Sequence, residues 1–269
     1  MEPIAPTPPP PPAARAPRPL GARLDAGLDV LRRQWVLLVG LSALLYVPAA
    51  FVREAAPPPG AEASAVAPGL GIALLFMLVA APLVVASVID ACGAVVRGVP
   101  TDAGLALRRG LALALPLVAT WLVLLAVLAV ALIPLVAVER SGGALGALQA
   151  PARLAALALP FAVGVRLTLI TQVAVLERRF AVRALVRAHQ LISGQVLRAF
   201  GTLLLAGLLA GLLSGIAALA VGELPVVGPV ATGLVQAVGF AYTSAVGVVV
   251  YDDVCVRRGE SGLGAPVSA

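Results

Sequence analysis

Six long apolar runs alternate along the chain with short polar stretches, most of which carry arginine. A helix that crosses a bilayer needs roughly 20 consecutive apolar residues. The runs near 34–52, 69–89, 110–138, 154–176, 202–221 and 226–251 supply about that length. The pattern predicts an all-α, polytopic membrane protein of about six transmembrane helices, paired as three hairpins. The fourth run has two possible starts: Leu154, or Pro160 with residues 145–159 forming an interfacial helix.

The stretch from Glu177 to Gly201 differs from the runs on either side. At 100° per residue, Arg183, Arg187, Gln190, Gly194 and Arg198 fall along one side of a helix. Val182, Leu185, Val186, Ile192, Val196 and Phe200 gather on the other, with Leu191 as an exception. Such a segment is too polar to span. It is expected to lie along the membrane surface, apolar face inward and guanidinium groups toward lipid phosphates or water. Asp25–Arg33 and Thr101–Arg109 are shorter lead-ins of the same kind, Thr101 being placed to cap the second.

A weak internal period accompanies these lead-ins. LRRQWVLLVG, LRRGLALALP and LRAFGTLLLA each set arginine just before an odd-numbered span. The even-numbered spans leave through VIDACGAVVRG, VLERRFAVR and VYDDVCVRRG, where an acid (Asp90, Glu177 or Asp252) meets the interface ahead of arginines. Three hairpins of one plan, repeated in parallel orientation, would give this pattern. So would any three hairpins built under the same charge rule. Residues 1–22, proline-rich, read as a disordered cytoplasmic tail, 23–258 as the helical membrane domain, and 259–269 as a flexible tail.

Composition agrees with the pattern. Of 269 residues 61% are hydrophobic and 12% charged, with a mean hydropathy of +1.04, too apolar for a soluble domain of this size. The net charge of +6 does not point to nucleic acid, because the arginines flank spans instead of forming a patch interleaved with aromatics. The lack of Lys and Asn, with abundant Ala, Gly, Pro and Arg, fits a GC-rich bacterial genome. Fifteen arginines (15, 18, 23, 32, 33, 97, 108, 109, 178, 179, 183, 187, 198, 257 and 258) share one predicted face, against Arg53, Arg140 and Arg153 on the other. The positive-inside rule then places both termini in the cytoplasm and the protein in the bacterial inner membrane.

Little in the sequence promises chemistry. No cofactor motif, metal-ligand set or nucleophile–base constellation is present. Cys92 and Cys255 read as free thiols, His189 as a packed core histidine, and Asp252 and Asp253 as interfacial caps. Gly207, Gly211 and Gly215 form a small-residue stripe, as do Gly233, Ala237, Ala241 and Ala245. These predict that the last two spans pack closely as an antiparallel pair, with a homo-oligomer contact as the lesser use. Arg166, inside the fourth run, is expected to find Gln236, Thr243, backbone carbonyls, the outer surface or a lipid phosphate.

VLERRFAVRALVRAHQLISGQVLRAFG and VVVYDDVCVRRGE resemble the membrane domain of bacterial glycerophosphodiester phosphodiesterases, which also occurs as a stand-alone protein. That family's Ala-Leu-x-Arg-Ser-x-x-Leu-x-x-Gly-x-x-x-Arg-x-x-Gly helix is matched by Ala184, Leu185, Arg187, Leu191, Gly194, Arg198 and Gly201, with Ala188 where Ser is usual. Pro160–Leu167 is similar to its Pro-Gly-Ile-Tyr-x-x-Val-Arg element without the Gly and Tyr, and Tyr251, Asp252, Arg257 and Arg258 to its closing Tyr-Asp-x-Arg-x-Arg. The fused enzymes catalyse with a soluble barrel using metal-bound carboxylates and His, and with one His and no clustered acids of a soluble domain in this sequence that activity is not expected to carry over. The resemblance therefore implies a non-catalytic module that interacts with the lipid bilayer or serves envelope processes, with Arg166, Arg183, Arg187 and Arg198 as candidate contacts to anionic phospholipid. A membrane-protein partner is a further expectation. The alternative is a transporter or exporter of a small or lipidic solute, which three repeated hairpins with proline-interrupted spans also suit.

Overall fold

The computed structural model describes residues 18–54, 63–140, 148–221, 224, 226–260 and 262–263, with residues 63–75 and 77 described by backbone alone. Among them every regular element is helical: α1 (Leu20–Arg33), α2 (Trp35–Glu54), α3 (Ala63–Arg97), α4 (Ala103–Arg140), α5 (Gln149–Arg166), α6 (Ile170–Leu176), α7 (Val182–Ile192), α8 (Val196–Val221) and α9 (Val227–Arg257). Six of these, counting α3 from Leu78 on and α5 with α6 as one, are long and apolar enough to cross a membrane. The chain is an all-α, multi-pass membrane protein.

Several boundaries move. The described residues begin at Arg18 and α1 begins at Leu20, within the stretch read as tail, while most of the proline tract and the Gly-rich turn after Arg140 lie outside the described residues. The second lead-in is not a separate helix but the first turns of α4, whose 38 residues run unbroken through Pro116 and Pro134. Pro160 does not start the fourth span; it lies inside α5. Helices in bilayers tolerate such prolines because neighbours and side chains re-satisfy the freed backbone groups. The fourth span breaks instead at Leu167–Leu169, where Leu167 N–H is shared between the Val163 and Gly164 carbonyls.

The internal period is real in three dimensions. The buried residues of α1 are Arg23, Gly27, Val30 and Leu31, and those of α7 are Ala184, Ala188, Leu191 and Ile192, each 161 positions later. In α4, Ala106, Gly110 and Leu113 repeat the first three at a shift of 83. Gly98 and Gly259, also 161 apart, end α3 and α9 with the same left-handed φ of 71°. In each, the glycine N–H reaches back three residues (3.1 and 3.0 Å) and the next N–H five (2.9 and 3.0 Å), closing the helix end in a Schellman motif. The middle unit has Ala181 at the matching place, also at positive φ (53°).

The lead-ins turn one face onto protein, where the sequence led us to expect lipid alone, although Val182 and Val186 of α7 stay exposed. Every residue from Ala86 to Val95 and from Ser244 to Cys255 is buried, as is Leu169–Val175 apart from Thr171. These are the arginine-side ends of the three even-numbered spans, which meet one another there, with α1, the start of α4, and α7 wrapped around them. Gly27 crosses α9 at Val246, and Gly110 crosses α3 between Leu83 and Ser87. At both points a β-carbon would collide with the neighbour, so glycine sets how closely the helices approach. The other halves of α4 and α8 are almost wholly exposed, as helices facing lipid tails are.

Candidate functional site

Three acids at the ends of the even-numbered spans each take an arginine from the lead-in of the next unit. Asp90 of α3 pairs with Arg109 of α4 at 3.4 Å, and Glu177 after α6 pairs with Arg187 of α7 at 3.0 Å. Asp253 of α9 closes the circle on Arg23 of α1 at 2.6 Å, both side chains only 3% exposed. Asp253 rather than Asp252 makes this pair, and its other oxygen accepts the Arg18 amide at 2.8 Å. Sequence reasoning counted Arg23 only among the arginines that set orientation and gave it no partner. Its spacing from Gly27 and Val30, repeated in α4 and α7, was the available signal that it faces inward.

Arg187 was expected to meet lipid phosphate. Instead it is clamped: its Nε donates to both Glu177 oxygens at 3.0 Å, its Nη1 to Glu260 at 3.0 Å, and its Nη2 also to Glu260. Tyr251 adds its hydroxyl to Glu177 at 2.8 Å, and Arg258 donates to the Leu191 and Ser193 carbonyls. Hydrogen bonding to Glu260 raises the Arg187 pKa above its ordinary value, burial opposes this, and Glu177 adds to the rise. Glu260 is held below its ordinary value of 4.5, first by that hydrogen bond, against a smaller effect of burial. A carboxylate with a depressed folded pKa stabilises the fold above its unfolded pKa and ceases to as pH falls through the folded one. The melting difference between wild type and Glu260→Gln is therefore expected to hold constant down to about pH 5 and to shrink below it. A difference that stays constant to pH 3 would show that the clamp does not depend on this charge.

The other three candidate arginines remain available. Arg183, Arg198 and Arg166 are exposed, and their guanidinium groups make no ion pair or hydrogen bond among the described residues. Arg166 is not near the start of its span. As the last residue of the 18-residue α5, it stands about 27 Å along that helix, toward the arginine-bearing side. Phe161, five residues earlier, stacks edge-on to Phe200 of α8 at 5.6 Å, which brings α5 to the foot of α8. Arg179 is less free, lying 3.2 Å from Glu177. His189 is exposed rather than packed, because the buried face of α7 is the small one formed by Ala184 and Ala188.

The glycine stripe of α8 also departs from expectation. A β-carbon at Gly207, Gly211 or Gly215 would meet open space. The two last spans do pack together, but the near approach is Gly239 of α9 against the Ala210 β-carbon, 2.9 Å from where a glycine substituent would sit. The stripe on α9 is buried at Gly233, Ala237, Ala241 and Ala245, and Gly233 faces Val47 and Tyr46 of α2. Cys92 and Cys255 are buried free thiols. Among the described residues no group of three His, Cys, Asp or Glu is placed to hold a metal ion.

No family model, curated protein or solved structure matches the chain. The arrangement itself is what bears on function: acids spent on interhelical pairs, and a surplus of unpaired guanidinium groups around the same end of the bundle.

Proposed function

We propose that this protein is a non-catalytic module of the bacterial inner membrane that holds anionic phospholipid against its arginine-bearing, cytoplasmic face. The resemblance of its Glu177–Gly201 and Tyr251–Arg258 stretches to the membrane domain of glycerophosphodiester phosphodiesterases supports this reading. The observation that carries the reading is the exposed, unpaired state of Arg166, Arg183 and Arg198, beside acids already committed to Arg23, Arg109 and Arg187. A guanidinium left without a carboxylate at the lipid headgroup level has phosphate as its natural bidentate partner. The excess of arginine at this end supports a cytoplasmic orientation. Close packing of Ala86–Val95, Leu169–Val175 and Ser244–Cys255 at the same end favours a holding role over solute passage, since these segments present no exposed face to a solute.

A basic side chain near an anionic membrane surface contributes about 1 kcal/mol. Three of them together should change anionic lipid retention at least roughly tenfold. Replacing Arg166, Arg183 and Arg198 with Gln keeps hydrogen-bonding capacity but removes the charge. The triple variant is expected to copurify with far less phosphatidylglycerol and cardiolipin by mass spectrometry, its neutral lipid unchanged. An unaltered anionic complement would reject the reading.

A further inference from the structure

A groove of 650 Å³ opens where α1 breaks into α2 and faces the start of α4. None of Arg166, Arg183 and Arg198 lines it, and its size is that of a small-ligand pocket. The fold's internal repeat gives it a counterpart elsewhere in the bundle. In the corner between α1 and α8, the Arg23 guanidinium fills the space and donates to the Arg198 carbonyl and the Thr202 hydroxyl. The matching corner lies between α4 and α2. There Ala106 stands for Arg23 at the shift of 83, and Leu37 and Leu41 stand for Arg198 and Thr202 at the shift of 161. Leu37 and Leu41 both line the groove. A guanidinium occupies one corner; in the other Ala106 is buried and the groove opens beside it, at Ala103 and Leu107.

The groove is polar at one end only. Gln34, Thr101 and Asp102 line it there beside Arg33. The Gln34 Oε1 and Thr101 Oγ1 atoms are shut off from solvent and have no hydrogen-bond partner among the described residues. The Asp102 carboxylate caps α4 through one oxygen, accepting the Leu105 amide at 2.8 Å. Gln195, the counterpart of Gln34 in the third unit, also has an unpartnered Oε1, so the glutamine belongs to the repeated plan. This end offers oxygen acceptors and a negative charge, which call for a donor that is preferably cationic. Arg33 is exposed and makes no ion pair among the described residues, so it calls for an anion. Farther along, Trp35, Gly40 and Leu44 continue the groove as an apolar strip down α2. Trp35 is exposed in the manner of an interfacial anchor.

We propose that this groove holds one aminophospholipid with a primary ammonium headgroup. The phosphate sits at Arg33, the ammonium donates to the exposed Asp102 and, once their side chains turn to meet it, to Gln34 and Thr101, and one acyl chain lies along α2 over Gly40. Charge complementarity selects this occupant. Anionic headgroups without an ammonium leave the acceptors unpaired, and a quaternary ammonium carries no N–H to donate.

The test uses the full chain in nanodiscs holding equal amounts of phosphatidylethanolamine, phosphatidylcholine and phosphatidylglycerol, with retained lipid counted by native mass spectrometry. One phosphatidylethanolamine is expected to persist at roughly tenfold excess over phosphatidylcholine, about the worth of one charge-assisted hydrogen bond. Gly40→Leu, whose side chain enters open space, is expected to expel it at unchanged melting temperature. Thr101→Val is expected to lower the preference for ethanolamine over choline while leaving the groove open. The Arg166, Arg183 and Arg198 triple variant should keep this lipid, which separates the groove from the anionic contacts proposed above. Equal retention of the three headgroups, or an unchanged lipid in Gly40→Leu, would overturn the assignment.

Discussion

Replacing Asp253 with Asn should cost about 3–5 kcal/mol of stability, the range measured when one partner of a buried ion pair is removed. Asp253 accepts from Arg23, from Arg257 at 2.9 Å and from the Arg18 amide, and at 4% exposure water cannot take its place. The neutral variant leaves the Arg23 guanidinium enclosed by α1, α8 and α9 without a counter-charge. Thermal unfolding in detergent should show a large drop in midpoint, and Arg23→Met should reverse part of it in the double variant by removing the stranded charge. The pair would lose its importance if Asp253→Asn melted with wild type.

A second large effect is expected at Gly233, and none at Gly211. A β-carbon at Gly233 would stand 2.8 Å from the Val47 α-carbon and 3.0 Å from the Tyr46 carbonyl oxygen. Both obstacles are backbone, so no side chain can turn aside, and α2 has to move off α9. Overpacking of this kind costs about 1–3 kcal/mol, occasionally more. Gly233→Leu should therefore melt well below wild type, while Gly211→Leu, entering open space, should not shift the midpoint. Equal behaviour of the two variants would contradict the packing around α9.

The contrast between these glycines also marks how far the sequence could be read. Apolar run length was enough to place six spans, because the thickness of a bilayer imposes it. The hairpin plan and the lead-ins could be seen in the recurring arginines. What surrounds each face could not. Angular periodicity finds the apolar side of α7 but does not distinguish lipid from protein, and the side that packs inward is lined by Ala184 and Ala188, which look unremarkable in an alanine-rich chain. For the same reason Gly207, Gly211 and Gly215 looked like a contact and are not one, whereas Gly27 and Gly110 looked incidental and set two helix crossings. The break at Leu167–Leu169 carries neither Pro nor Gly. It follows from tertiary packing, since α6 must reach α3 and α9 while α5 stays with α4.

Arg23 and Asp253 lie 230 positions apart, which has a consequence for how the protein is made. Synthesis proceeds at about 5–20 residues per second, so α1 leaves the ribosome tens of seconds before the helix that neutralises it. Throughout that interval the first two units can assemble, but the circle stays open at α1, and Arg23 has only water or lipid headgroups for company. The bundle acquires its final form only when its last helix arrives, so a nascent chain stopped short of α9 is an unfinished object however many of its spans have entered the membrane.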